Sequence, residues 1–123
     1  MTRPTSNPRK PLAGSLYAII DLEVADSPLE LAERTLAVQP AWIQLRAKGC
    51  DDRTWIEIAS ALRERCTEAR TPFVINDRAD IATIVEADGL HLGQADLSIE
   101  DARRVVGEMT IGISTHDLEP VSY

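Results

Sequence analysis

Cysteine is scarce in this chain: Cys50 and Cys66 stand alone, and they form no CxxC or other metal-like spacing. That argues against a disulfide scaffold and a cysteine-rich metal site. Cys66 falls on the apolar face of an expected helix, so it reads as a buried free thiol, in keeping with a reducing, cytoplasmic setting. Positive charge is also short, with 13 lysines and arginines against 20 acidic residues and a net charge of -7. Such a balance disfavours nonspecific binding to nucleic acid and to anionic membranes, which select basic chains. An anionic ligand would need cations placed locally and a metal ion beside them. No apolar run approaches the ~20 residues that span a bilayer. A Ser-His-Asp order, a zinc spacing and a P-loop are missing too.

The opening stretch MTRPTSNPRKPLAG is basic, contains proline and no acid, and lacks the apolar centre of a secretory signal. Residues 1–14 are expected to form a disordered leader and 15–123 a single domain with a modest core. From residue 15 one unit recurs: apolar strand, polar turn, amphipathic helix. Strands are expected over 16–20, 41–48, 72–75, 89–92 and 110–113. Ser27, Pro28 and Glu30 spell a capping box with proline at the first helical position. Trp55, Ile58, Ala59, Leu62 and Cys66 fall at helical spacing on one stripe. A short helix is expected around Asp80 to Glu86. Ser98 and Asp101 then cap a helix that turns Ala102, Val105 and Val106 inward, and a further helix would be starting near Tyr123.

Strands alternating with helices, without hairpin signals, imply right-handed crossovers and a parallel sheet. A doubly wound open sheet gathers its ligand at one switch point and usually begins with a glycine-rich loop. The first loop here, Asp21 to Ser27, has no glycine. Polar residues instead end at least four strands: Gln44 to Lys48, Asn76-Asp77, Gly93 to Asp96, and Ser114-Thr115-His116. A (β/α)8 barrel assembles its site from several such ends. The expected fold is therefore α/β, a parallel TIM-barrel type, incomplete, with about five of eight units.

Alternation along a strand puts Gln44, Arg46 and Lys48 on one side and Ile43, Leu45 and Ala47 on the other. Two cations and an amide converging at a strand end suit a phosphate or diphosphate. The competing role for the cations is an ion pair with a nearby acid at a solvated strand end. Asn76 and Asp77 suit a substrate amine or diphosphate and a magnesium ion, or equally a turn or cap. Asp96 supplies a second carboxylate, or complements a helix dipole. The two acids end adjacent units, and magnesium takes one or two carboxylates with water and substrate phosphate oxygens. Ser114 can donate to a leaving phosphate or orient a ring nitrogen. His91, between Leu90 and Leu92, reads as a satisfied interior histidine rather than a base. Asp21 and His116 stay open between site and cap.

Together, Q-L-R-A-K at 44–48, F-V-I-N-D-R at 73–78, A-D-G-L-H-L-G-Q-A-D at 87–96 and G-I-S-T-H at 112–116 resemble the thiamine phosphate synthase family in order and spacing. The resemblance implies a TIM-barrel transferase of thiamine biosynthesis. It would join hydroxymethylpyrimidine diphosphate to a thiazole phosphate and release diphosphate. It implies substrate contacts from Gln44, Leu45, Arg46, Ala47, Lys48, Asn76 and Ser114, with Ser114, Lys48 and Arg46 carrying the chemistry. It also implies Mg2+ on Asp77 and Asp96. The implied partners are small-molecule substrates, with no nucleic acid and no membrane.

The family's later motifs are absent: a glycine-rich F-G-P-type segment with a threonine-rich stretch and a lysine, and a final phosphate-binding loop. The chain is thus expected to hold the pyrimidine-diphosphate half of the site. A truncated product or gene model is favoured over a fragment completed by another chain or by self-association, and over a degenerate open domain. Two other functions remain on the same fold. A thiazole tautomerase-like relative would have no use for the Gln-Arg-Lys face and both acids; a noncatalytic module would bind the pyrimidine diphosphate without turnover.

Overall fold

Five parallel strands follow one another across the sheet in chain order in the computed structural model, which describes residues 16–114 and the backbone of 121–122. The elements run β1 (Tyr17–Asp21), α1 (Pro28–Ala37), β2 (Trp42–Arg46), α2 (Asp52–Ala69) and β3 (Phe73–Asn76). They continue with α3 (Ala79–Ile84), β4 (Gly89–Leu92), α4 (Ile99–Val106), β5 (Thr110–Ile113) and β6 (Val121–Ser122). The order β1-β2-β3-β4-β5 never doubles back. With right-handed crossovers, a one-way order leaves every helix on the same face, as in a barrel wall. A doubly wound sheet would reverse at a switch point. The TIM-barrel type expected from the strand ends therefore holds, as five consecutive strands of such a wall. The expected leader at 1–14 lies outside the described residues, as do Thr115 and His116.

The helix-covered face carries the core. Ile43, Leu45, Phe73, Ile75, Leu90, Leu92 and Ile111 are essentially inaccessible there. Against them pack Ala32 of α1, Trp55, Ala59, Leu62 and Cys66 of α2, Ile81 and Ala82 of α3, and Ala102 of α4. Each fully buried large apolar side chain contributes about 1.5–3 kcal/mol, so this packing holds the helices far more than their propensity does. The α2 stripe is the one expected from the sequence. Its start is set by the Asp51 carboxylate, which accepts from the Thr54 N–H at 2.8 Å. The Trp55 indole N–H donates to the Ala47 carbonyl, tying that start to the end of β2. Among the described residues no helix is long and apolar enough to cross a membrane.

Two local expectations fail for physical reasons. Ser27 sits at the N-cap of α1 but makes no side-chain cap bond, so the first capping box does not form. Its ψ of 81° falls short of the extended value that Ser98 adopts, 158°, and Ser98 does accept from the Asp101 N–H at 3.1 Å. The second departure is β6. In place of a starting helix, the backbone of Val121–Ser122 pairs antiparallel with Ile113 and Gly112. An edge strand presents unmatched ladder groups, and this short return takes some of them.

Candidate active site

Among the described residues no helix covers the opposite face of the sheet, and its polar residues collect at one end. Parallel register sets Ile19, Gln44, Val74, Gly89 and Thr110 side by side in one row. Two residues further along, Asp21 stands beside Arg46, and Asn76 beside His91 and Gly112. Because side chains alternate, both rows share the uncovered face, and the second lies nearer the C-terminal ends of the strands.

Gln44 is 3% exposed, and its Oε1 accepts from Asn76 Nδ2 at 2.9 Å, which couples β2 to β3. A buried amide left unpaired would cost about 1–3 kcal/mol, so each side chain fixes the other's orientation. Arg46 Nη1 donates to Asp21 Oδ2 at 3.0 Å, the ion pair that competed with the ligand role in the sequence. The Glu23 N–H, at 2.9 Å, and then the Arg46 guanidinium hold the Asp21 carboxyl below its usual range against partial desolvation. Lys48 lies two residues beyond the end of β2 and is exposed. Leu45 and Ala47 turn fully into the core, so only their backbone can meet a ligand; side-chain contact from either is excluded.

Asp77 follows β3 with φ at 71°, a left-handed conformation that aspartate tolerates, and its N–H donates to the His91 carbonyl at 2.7 Å. Burial, then a hydrogen bond and charge from Asp96, push the Asp77 carboxyl above its usual range, while Lys48 and Arg78 oppose the shift. Asp77 and Asp96 are therefore neighbours whose negative charges repel. Crowded carboxylates share either a proton or a cation. Among the described residues no third histidine, cysteine or acid joins them. Two carboxylates, completed by water and a ligand's own oxygens, are a donor set that magnesium accepts.

Asp96 is held from the other side, its Oδ2 accepting from the Gly93 N–H at 2.6 Å. A Cβ on Gly93 would come 3.1 Å from that same oxygen, so the glycine leaves room for the carboxylate. Arg78, next to Asp77, bridges Asp52 at 2.9 Å and Asp80 at 2.8 Å and lies over the Trp55 ring at 5.9 Å. It clasps the loop after β3 to the start of α2.

His91 is satisfied by a partner, as the sequence suggested, but on the uncovered face of the sheet. It is half-buried, and its Nε2 lies 2.5 Å from Ser114 Oγ. Desolvation lowers its pKa, and the Asp96 charge partly opposes this. An open cleft of about 390 Å3 is lined by Trp42, Gln44, Arg46, Asn76, His91 and Ser114. Tyr17 and Ile19 complete it, and Tyr17 stacks on Trp42 with ring centroids 5.0 Å apart. Sequence reasoning missed His91, Tyr17 and Trp42 as parts of this wall. The signal was strand parity: Leu90 and Leu92 face the core, so His91 between them must face the cleft.

Fold and site together define a barrel-type α/β protein whose cations, amides and paired acids collect at the C-terminal strand ends, where that fold places its active sites. The chain belongs to the thiamine monophosphate synthase family, whose model matches residues 16–122. It is 40% identical over 110 residues to a thiamine-phosphate synthase of Persephonella marina, covering 87% of this chain and 53% of the relative. A thiamine-phosphate synthase of Mycolicibacterium vanbaalenii is 40% identical over 123 residues, covering 92% and 56%. Among solved structures, a thiamine phosphate pyrophosphorylase from Pyrococcus furiosus superposes with a TM-score of 0.78 at 32% identity, covering 83% of this chain and 50% of that one. The chain thus spans about half the length of the relatives it matches.

Proposed function

We propose that residues 15–123 form one domain carrying the pyrimidine-diphosphate and metal part of a cytoplasmic thiamine phosphate synthase. The reaction joins hydroxymethylpyrimidine diphosphate to a thiazole phosphate. The CH2–O bond of the pyrimidine breaks, diphosphate leaves with the bonding pair, and the thiazole nitrogen forms the new C–N bond. The observation behind this reading is one cleft lined by Gln44, Arg46, Asn76 and Ser114, with Asp77 beyond the end of β3 feeling the charges of both Asp96 and Lys48.

Each residue has work suited to its chemistry. Lys48 and Arg46 neutralise charge building on the departing diphosphate, Arg46 by exchanging Asp21 for phosphate oxygens. Gln44 and Asn76 hold the ligand from a preorganised amide pair. Ser114 orients the pyrimidine ring. Asp77 and Asp96 would hold Mg2+, which when bound adds charge neutralisation at the diphosphate oxygens. The pushed-up Asp77 carboxyl supports this, because a cation beside it would offset the burial and the Asp96 charge that raise it.

Tyr17 and Ile19, both more than half exposed on the uncovered face, fit association with a second copy or a completing chain. The same exposure favours one alternative, a module that binds the pyrimidine diphosphate without turnover. Calorimetry with hydroxymethylpyrimidine diphosphate, with and without Mg2+, tests the main reading. Metal-dependent binding is expected; its absence overturns the proposal. Binding with no diphosphate release on adding thiazole phosphate selects the noncatalytic module.

A further inference from the structure

We propose that His91 is a positioning residue for Ser114, fixing the direction of its hydroxyl at the pyrimidine end of the cleft; this rests on the functional reading above. Three observations converge. The first is the 2.5 Å contact between His91 Nε2 and Ser114 Oγ, made from β4 to the residue just past β5. The second is the backbone beneath it. The Ser114 N–H donates to the Leu92 carbonyl at 3.0 Å, so the main chain is already set and the freedom left to the hydroxyl is its rotamer. An unpartnered serine has three staggered positions to sample, and the imidazole selects one.

The third observation is Gly112, which lies beside His91 in the parallel register. Its φ is not positive, so no backbone strain calls for glycine there. Space does: a Cβ at 112 would come 3.3 Å from His91 Nδ1. The bare Cα lets the imidazole lie against β5 and reach Ser114. The ring is thus located on one side by the missing methyl group and on the other by the hydroxyl.

A hydroxyl offers one donor and two acceptor positions. Whichever ring nitrogen carries the proton, the imidazole contact commits one of these functions and aims the remainder at the ligand. A ring nitrogen or amino group of a pyrimidine then meets a hydroxyl already oriented. An inorganic diphosphate, which lacks the ring, would not sense the pair. That difference separates positioning from simple support of the fold.

The test compares two probes at saturating Mg2+ by calorimetry: hydroxymethylpyrimidine diphosphate and inorganic diphosphate. His91→Phe keeps a ring and removes the nitrogens. It is expected to weaken the pyrimidine probe about tenfold, the size of one hydrogen bond, and to leave inorganic diphosphate within about twofold. His91→Gln, with an amide nitrogen near the Nε2 position, should restore most of the loss. Gly112→Ala should weaken the pyrimidine probe in the same selective way by pressing on the ring. Ser114→Ala added to His91→Phe should cost little more, because the two act as one unit.

In the free protein, Ser114→Ala should shift the His91 imidazole 15N resonances. Equal losses on both probes, full additivity of the two substitutions, or unmoved 15N signals would overturn the inference. Wild-type protein that binds neither probe overturns the functional reading and this one with it. Pyrimidine binding that survives His91→Phe intact overturns this one alone.

Discussion

The two faces of the sheet are made from alternate residues of the same strands, yet they answer to different demands. On β2, Ile43 and Leu45 vanish into the helix-covered core, while Gln44 and Arg46 between them form a cross-strand amide bond and an ion pair. On β4, Leu90 and Leu92 pack inward and His91 turns to the cleft. Stability thus rests on one parity and the candidate chemistry on the other. Substitutions should divide accordingly: those on the helix side move the unfolding midpoint, and those on the cleft side move ligand binding.

The largest effect is expected from Phe73→Ala, which empties a site with no solvent exposure. It should cost about 3–5 kcal/mol in urea unfolding. A loss under about 1 kcal/mol would show that the helix-side core is not the source of stability. Next come the acids. Asp77→Ala and Asp96→Ala should each weaken Mg2+-dependent diphosphate binding by about 100-fold, comparable to adding a chelator, with folding retained. Unchanged calorimetric binding in both would remove the metal from the site.

Asp77→Asn sharpens the comparison because stability and binding should move in opposite directions. The native carboxyl is pushed up, so the folded state holds its proton more tightly than the unfolded one. That contribution is present below the ordinary aspartate pKa and is lost as pH rises through the raised value. Without metal at neutral pH, the variant should therefore melt higher than wild type. The gap should close below about pH 4, near the unperturbed aspartate value. With Mg2+ and diphosphate the order should reverse, since ligand stabilises only the protein that binds it. A variant that melts lower than wild type without metal would contradict the crowding of Asp77 and Asp96.

The smallest expected effects compare two serines in the same helical position. Ser98→Ala removes a formed cap bond and should cost about 1 kcal/mol. Ser27→Ala removes none and should leave the unfolding midpoint within error.

Much of this division could be read in the sequence, because strand parity is a period-two signal and the core residues obey it. The alternation at 43–48 separated Leu45 and Ala47 from Gln44 and Arg46, and the α2 stripe placed Cys66 inside, where burial pushes its thiol up to about 12. What escaped were contacts between strands. The pairing of Gln44 with Asn76, of Arg46 with Asp21 and of His91 with Ser114 depends on register, which a single chain does not display. Local geometry escaped as well. Ser27 and Ser98 each precede a helix with an acid three residues on, and their backbone angles separate the cap that forms from the one that does not. Arg78 was hidden for a further reason: its partners Asp52 and Trp55 belong to a different helix.

Paramagnetic relaxation with Mn2+ in place of Mg2+, in the presence of diphosphate, tests the single-rim site most directly. Broadening of backbone signals at Lys48, Asp77, Gly93, Asp96 and Ser114, with Ala32, Cys66 and Ala102 across the sheet left sharp, is the predicted result. Broadening centred on the helix side, or spread evenly over both faces, would contradict it.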